Sequence, residues 1–176
     1  MVSIIVLIGL LITSALISGA EVAFFALKPQ ELVKIKKEKS RRSKLIKNFL
    51  SKPKELLATI LIANNFANVG VIILSTYISE SLFDFQGSEL MQFLIQIVII
   101  TFLLLLFGEV LPKVYANNKA FSFAKLMSLP LSFLEKIFKP ISAILISSTR
   151  IIDRKIKNNK HNLSLDDLSN ALELTS

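Results

Sequence analysis

The sequence predicts an all-α integral membrane protein with three transmembrane helices plus an amphipathic juxtamembrane helix. Three observations lead there. Charged residues are absent from three blocks, 1–20, 56–79 and 90–108, each long enough to cross a hydrocarbon core of about 30 Å as a helix. The composition is 52% hydrophobic with a mean hydropathy of +0.60, and the apolar residues are pooled rather than spread in the period of a soluble fold. The charges that remain are sorted by sign between the loops.

The first span is read as about 2–27. It is not a signal peptide, because it lacks a basic leading segment and its apolar run is longer than such peptides carry. Residues 28–54 follow with eleven Lys or Arg against Glu31 and Glu38. The second span is about 56–80 and the third about 90–112. Between them lie Glu80, Asp84 and Glu89 and no basic residue. Short basic loops stay on the cytoplasmic side, so the N-terminus is expected outside and the C-terminus in the cytoplasm, in the cell (inner) membrane. All 21 Lys and Arg are then cytoplasmic. The net charge of +8 is accordingly read as a solvated face near anionic lipid headgroups rather than a nucleic-acid surface.

Residues 126–152 are apolar but interrupted by Glu135, Lys136, Lys139 and Pro140. Ser128, Ser132, Glu135, Lys139 and Ser142 fall in steps of four and three, one stripe of a helix. A helix of this kind lies in the membrane interface, its apolar side toward lipid or the other helices. A fourth crossing would carry Arg150, Arg154, Lys155, Lys157 and Lys160 outward, against the charge rule. The membrane domain is thus bounded at 1–155. Residues 153–162 read as a polar linker, and 156–176 as cytoplasmic linker leading into a helical region. Ser164 to Asp167 resembles a capping box, followed by Leu168 and Leu172 on the Leu165 face. That short helix has nothing here to bury against, so the chain is expected to be one piece of a longer protein.

The chemistry has few carriers. There is no cysteine, and the single histidine is His161 in the polar tail. Disulfides, thiolate chemistry and histidine metal sites are excluded. Polar groups within the spans are therefore the functional candidates, since each is costly in a bilayer. The first span offers Ser14 and Ser18, one turn apart, with Gly19 and Glu21. Serine and glycine also serve helix packing. The second offers Asn64, Asn65 and Asn68, which fit either an inter-helix hydrogen-bond network or a ligand site of amide oxygens. The third ends in Gly108-Glu109-Val110-Leu111-Pro112-Lys113. Pro112 has no N–H and crowds the carbonyl four residues back, which frees the Gly108 oxygen beside the Glu109 carboxylate at the negative end of a helix dipole. Glu109 paired with Lys113 is the structural alternative. Glu21 is turned partly from the Ser14–Ser18 face and is expected to pair with Lys113. By depth, Ser18, Asn64 and Glu109 converge in the inner half of the membrane. Hydroxyl, amide, carboxylate and carbonyl oxygens are hard ligands that suit Mg²⁺ or Ca²⁺.

Ser18-Gly19-Ala20-Glu21-Val22-Ala23, the run Leu56 to Asn65 with Asn68, and Gly108 to Lys113 together resemble the transmembrane domain of the CNNM/CorC magnesium transporters. The likeness covers about residues 3–155, departing at Ala63, where glycine is common. It implies a homodimer, a belt-like juxtamembrane helix, and a cytoplasm-facing site for dehydrated Mg²⁺ with export driven by Na⁺ entry. It also implies nucleotide binding only through CBS modules that lie beyond this chain. The metal set on this reading is Ser18, Asn64, Asn65, Asn68, Gly108 and Glu109, with Ser14, Gly19, Glu21, Pro112 and Lys113 in support. The alternative is a non-transporting membrane scaffold or Mg²⁺ sensor that uses the same polar cluster for dimerisation. An intramembrane enzyme has little support, because one carboxylate lacks a partner acid, histidine or nucleophile pair.

Overall fold

The computed structural model describes residues 2–82 and 89–173, so Asp84 of the acidic loop lies outside the described residues. Among the described residues seven α-helices run in order: α1 (Val2–Phe25), α2 (Pro29–Lys37), α3 (Arg41–Ser51), α4 (Pro53–Leu82), α5 (Glu89–Leu103), α6 (Leu111–Asn118) and α7 (Ala120–Glu173). A π-helical turn, Leu104–Val110, joins α5 to α6. Among the described residues there is no strand. Three helical stretches are long and apolar enough to cross a membrane: Val2–Phe25, Pro53–Ser79 and Ile97–Asn118. The all-α, three-span expectation is met.

The third stretch continues past the expected stop at Pro112. Proline ends a helix by removing an interior hydrogen bond, but it is tolerated in a first turn. The π turn restarts the register, which places Pro112 in the first turn of α6.

α1 is the central rod, packed against α4, the π turn, α6 and α7. Its buried face, Ser14, Ile17, Ser18, Gly19, Ala20, Ala23 and Phe24, is made largely of small residues. Such residues let helix axes approach where no hydrophobic force separates protein from lipid. A Cβ on Gly19 would stand 2.8 Å from Phe123 Cζ and 3.2 Å from the Pro112 carbonyl oxygen. Glycine is therefore required there by contact. No glycine among the described residues has positive φ.

The basic segment 28–54 is more than a solvated face. It folds into α2 and α3, the first capped by Glu31 accepting from Lys28 N at 2.8 Å, the second by Ser40 accepting from Ser43 N at 3.2 Å. Their apolar sides bury Ile35, Ile46 and Phe49, and the Phe49 ring meets Phe24 of α1 edge-on at 5.6 Å. The i, i+3 and i+4 spacing of these apolar residues among the lysines carries the signal. Lys125 of α7 clamps this unit, with its Nζ 2.7 Å from Glu38 Oε2 and 2.8 Å from Oε1. Ser43 Oγ also donates to Glu38.

α7 takes one of the two placements expected for its apolar side and departs from expectation in its linker. The polar stripe faces inward: Ser128 and Ser142 are buried, while Phe133, Ile137, Ile141 and Ile144 are exposed. Lipid accepts the apolar side, and Ser128 is accommodated because its hydroxyl donates to the Lys125 carbonyl at 2.9 Å. The linker expected at 153–162 is helical, continuous with the rest of α7. No Gly or Pro occurs after Pro140, and the Arg and Lys of this stretch have good helix propensity.

Two outcomes follow from this packing. Gly19→Ala forces the Phe123 ring and the Pro112 carbonyl apart and lowers the thermal midpoint, an overpacking cost of about 1–3 kcal/mol. Gly9→Ala, where an added Cβ meets nothing within 4 Å, leaves the midpoint unchanged or raises it; thermal unfolding of both variants in detergent makes the comparison. For the clamp, the Lys125 ammonium, donating to Glu38, and the Ser43 hydroxyl hold the Glu38 carboxyl below the usual carboxylate range. A lowered folded pKa gives stability that is present above the ordinary value of about 4.3 and lost as pH falls through the folded value. The gap in thermal midpoint between the parent protein and Glu38→Gln is therefore open at neutral pH and closes on acidification.

Candidate metal site

Three elements bring the polar groups of the spans together. α1 presents Ser14 and Ser18, both buried at 1% and 0% exposure. α4 presents Asn64 and Asn68 one turn apart, half-buried. Ser14 Oγ donates to Asn68 Oδ1 at 2.5 Å and lies 3.2 Å from Asn64 Oδ1. A serine hydroxyl has one proton, so three oxygens share a single hydrogen. The Ser14 proton can serve one of the two amide oxygens at a time.

The π turn closes the third side. A Cβ on Gly108 would stand 3.3 Å from Ser14 Oγ, so the missing side chain admits the hydroxyl to the turn's backbone. The Leu111 N–H bonds the Leu106 carbonyl, a spacing of five residues. Pro112 then fails as donor to Phe107 in the π register and to Gly108 in the α register. The sequence reading foresaw the second of these carbonyls and not the register change. No side-chain pattern marks a π turn, though π turns gather at functional sites.

Ser18 is fully buried, and its Oγ has no hydrogen-bond partner. A buried hydroxyl on a helix ordinarily bonds somewhere, so this one, a turn beyond Ser14, stands out as an unserved oxygen. Gly19 beside it serves close packing.

Glu109 does not stand alone. Its Oε1 accepts from Lys113 Nζ at 2.8 Å, and the same ammonium lies 3.4 Å from Glu21 Oε2. The expected Glu21–Lys113 pair is present, and so is the alternative pairing of Glu109. Glu21 and Glu109 thus share the Lys113 ammonium, and Lys54 lines the same cavity as Glu21. Glu21 and Asn64 both line one cavity of about 410 Å³ between α4 and α7, walled by Leu57, Ala58, Leu61 and Ile146. That cavity connects the charged end with the amide oxygens.

Asn65 is exposed, on the flank of α4 next to Asn64 and Asn68. Ser14, read from sequence as a supporting residue, is the one that joins Asn64, Asn68 and Gly108. Its spacing one turn before Ser18 was the available signal. Among the described residues no three His, Cys, Asp or Glu side chains gather into a metal cluster. An ion here must rest mainly on neutral oxygens.

The family model for the cyclin M transmembrane N-terminal domain, CNNM, matches residues 5–176. The chain belongs to this family. It is 30% identical over 168 residues to a UPF0053 protein of Haemophilus influenzae, covering 93% of this chain and 39% of that protein. It is 31% identical over 141 residues to the UPF0053 inner membrane protein YfjD of Escherichia coli, covering 80% of this chain and 32% of that protein. A Synechocystis UPF0053 protein is 29% identical over 140 residues. The chain thus spans a third or slightly more of the length of these relatives. A membrane location follows from the three apolar helices and the family. This CNNM domain carries its polar cluster on the helices that would span the bilayer.

Lys113 ties two carboxylates, so its loss matters more than the loss of either partner. Lys113→Gln leaves Glu21 and Glu109 uncompensated and lowers the thermal midpoint. Glu21→Gln keeps the Glu109–Lys113 pair and lowers it less. A midpoint for Glu21→Gln at or below that of Lys113→Gln would show that Glu21 is the dominant partner.

Proposed function

We propose that this CNNM domain exports Mg²⁺ from the cytoplasm, coupled to Na⁺ entry, through the oxygens of Ser14, Ser18, Asn64, Asn68, Gly108 and Glu109. The observation that supports this is the donor-poor cluster: three side-chain oxygens around one proton, an orphaned hydroxyl and a proline-interrupted π turn. Mg²⁺ takes six oxygens at about 2.0–2.1 Å and sheds water reluctantly. A rigid set of neutral oxygens can replace part of its shell, while one nearby carboxylate supplies the Coulomb attraction. A single charge also keeps release feasible.

On this reading Lys113 holds Glu109 until an ion arrives. Glu21, already 3.4 Å from the ammonium, receives it when Glu109 turns to the metal, so no charge is stranded in low dielectric. The cavity shared by Glu21 and Asn64 is the approach. The basic α2–α3 unit belongs on the cytoplasmic side by the charge rule, which makes the approach inward-facing. A homodimer is part of the proposal. Asn65 sits on α4 with Leu61 and Val69, each 53% exposed, and an amide facing lipid is costly; a second copy over this stripe removes that cost.

A non-transporting scaffold or sensor is the second reading. It is favoured by the Ser14 bonds to Asn64 and Asn68, which tie α1 to α4 without any ion. Mg²⁺ flux from proteoliposomes under an imposed Na⁺ gradient separates the two. Binding is tested by calorimetry on the solubilised protein. Glu109→Gln keeps the shape and loses the charge, and weakens Mg²⁺ binding more than tenfold, about 1.4 kcal/mol. Asn68→Ala weakens it less, because water can replace one neutral ligand. Unchanged affinity in Glu109→Gln, with fold retained, removes that carboxylate from the site.

A further inference from the structure

One buried polar group lies far along the chain from the metal cluster and plays no part in it. Ser142 of α7 is 5% exposed and its Oγ has no hydrogen-bond partner. It lines a cavity of about 390 Å³ between the start of α4 and the middle of α7, together with Thr59, which is 2% exposed. The charged groups facing this cavity are Lys52, Glu55, Glu135, Lys136 and Lys139. Lys52 and Glu55 neutralise each other at 3.2 Å, which leaves Lys136 and Lys139 against Glu135, a net charge of +1.

Lys136 and Lys139 are three residues apart and share a helix face. Two ammonium groups over an unserved hydroxyl, beside the positive N-terminal end of α4, form an anion site matched to one negative charge. Its position names the source of the anion. The second apolar stretch begins at Pro53, so the cavity lies at the edge of the hydrocarbon region, where phospholipid phosphates sit.

We propose that this cavity is a specific site for an anionic phospholipid. Its phosphodiester is held by Lys136 and Lys139 with the Ser142 hydroxyl as donor, and Glu135 accepts from a headgroup hydroxyl. A lipid seated there fastens α7 to the start of α4. The site is independent of whether the chain transports Mg²⁺.

The test uses the purified full chain in neutral detergent with added dioleoyl phosphatidylglycerol, dioleoyl phosphatidylcholine or inorganic phosphate. Phosphatidylglycerol raises the thermal midpoint by about 4 °C or more, while phosphatidylcholine and inorganic phosphate at the same concentration do not. Lys136→Gln/Lys139→Gln loses most of that shift. Arg41→Gln/Arg42→Gln, which removes equal charge from α3, keeps it. Ser142→Leu fills the cavity and reduces, at least fivefold, the single phosphatidylglycerol adduct retained in native mass spectrometry; this readout also applies should the lysine variant fail to fold. Equal shifts with phosphatidylcholine, a shift with inorganic phosphate alone, equal loss in the Arg41/Arg42 variant, or an adduct that survives Ser142→Leu would each overturn the proposal.

Discussion

The fold turns on a shortage of protons where α1 crosses α4. Ser14 offers one hydrogen to the amide oxygens of Asn64 and Asn68. In hydrocarbon such an arrangement survives only if the helices are held together by other means. They are. The small residues of α1 bring α6 and α7 to van der Waals contact at Gly19, and Gly108 lets the π turn close on Ser14. Close packing and the polar cluster are thus one construction, since the glycines that allow the helices to approach also bring the oxygens within reach of a common point.

Charge is handled separately from the neutral oxygens. Lys113 lies between Glu109 and Glu21, a turn from the end of the π segment. All three groups are partly exposed, so the pairs contribute little to stability by themselves. Their value is positional. An ammonium with two carboxylates in reach can leave one without becoming unpaired, and it can do so without a change in backbone. Elsewhere Lys125 joins Glu38 to α7, fixing the α2–α3 unit at one end of the spans. There the bond is structural, with no neutral oxygen cluster beside it.

The sequence made the spans legible because uncharged length is a direct physical requirement of a bilayer. The Glu21–Lys113 pair was legible because Glu21 is rotated off the serine face of its helix. Asn64 and Asn68 were separable from Asn65 only in three dimensions, since i, i+3 and i+4 neighbours all pass for one face. For α7, periodicity left open whether the apolar side meets lipid or the other helices. Periodicity identifies a face but not its neighbour, and in a membrane the apolar face is the one that turns away from the protein. The π turn left no pattern at all. It is a hydrogen-bond register, and side chains are nearly indifferent to a shift of one residue over one turn.

That register shift explains how Pro112 can lie within a membrane helix while the helix continues to Asn118. A proline in an unbroken α-helix costs a hydrogen bond and a steric clash with the carbonyl four residues back. Widening the preceding turn to a five-residue spacing moves that carbonyl out of the ring's way and lets α6 begin with proline in its first turn. The cost is concentrated in carbonyls at Phe107 and Gly108 that lack Pro112 as donor. Of the two, Gly108 is the residue that lies against Ser14. The π turn thus meets α1 where Gly108 faces Ser14, and backbone and side-chain oxygens share the helix crossing on which the proposed Mg²⁺ site rests.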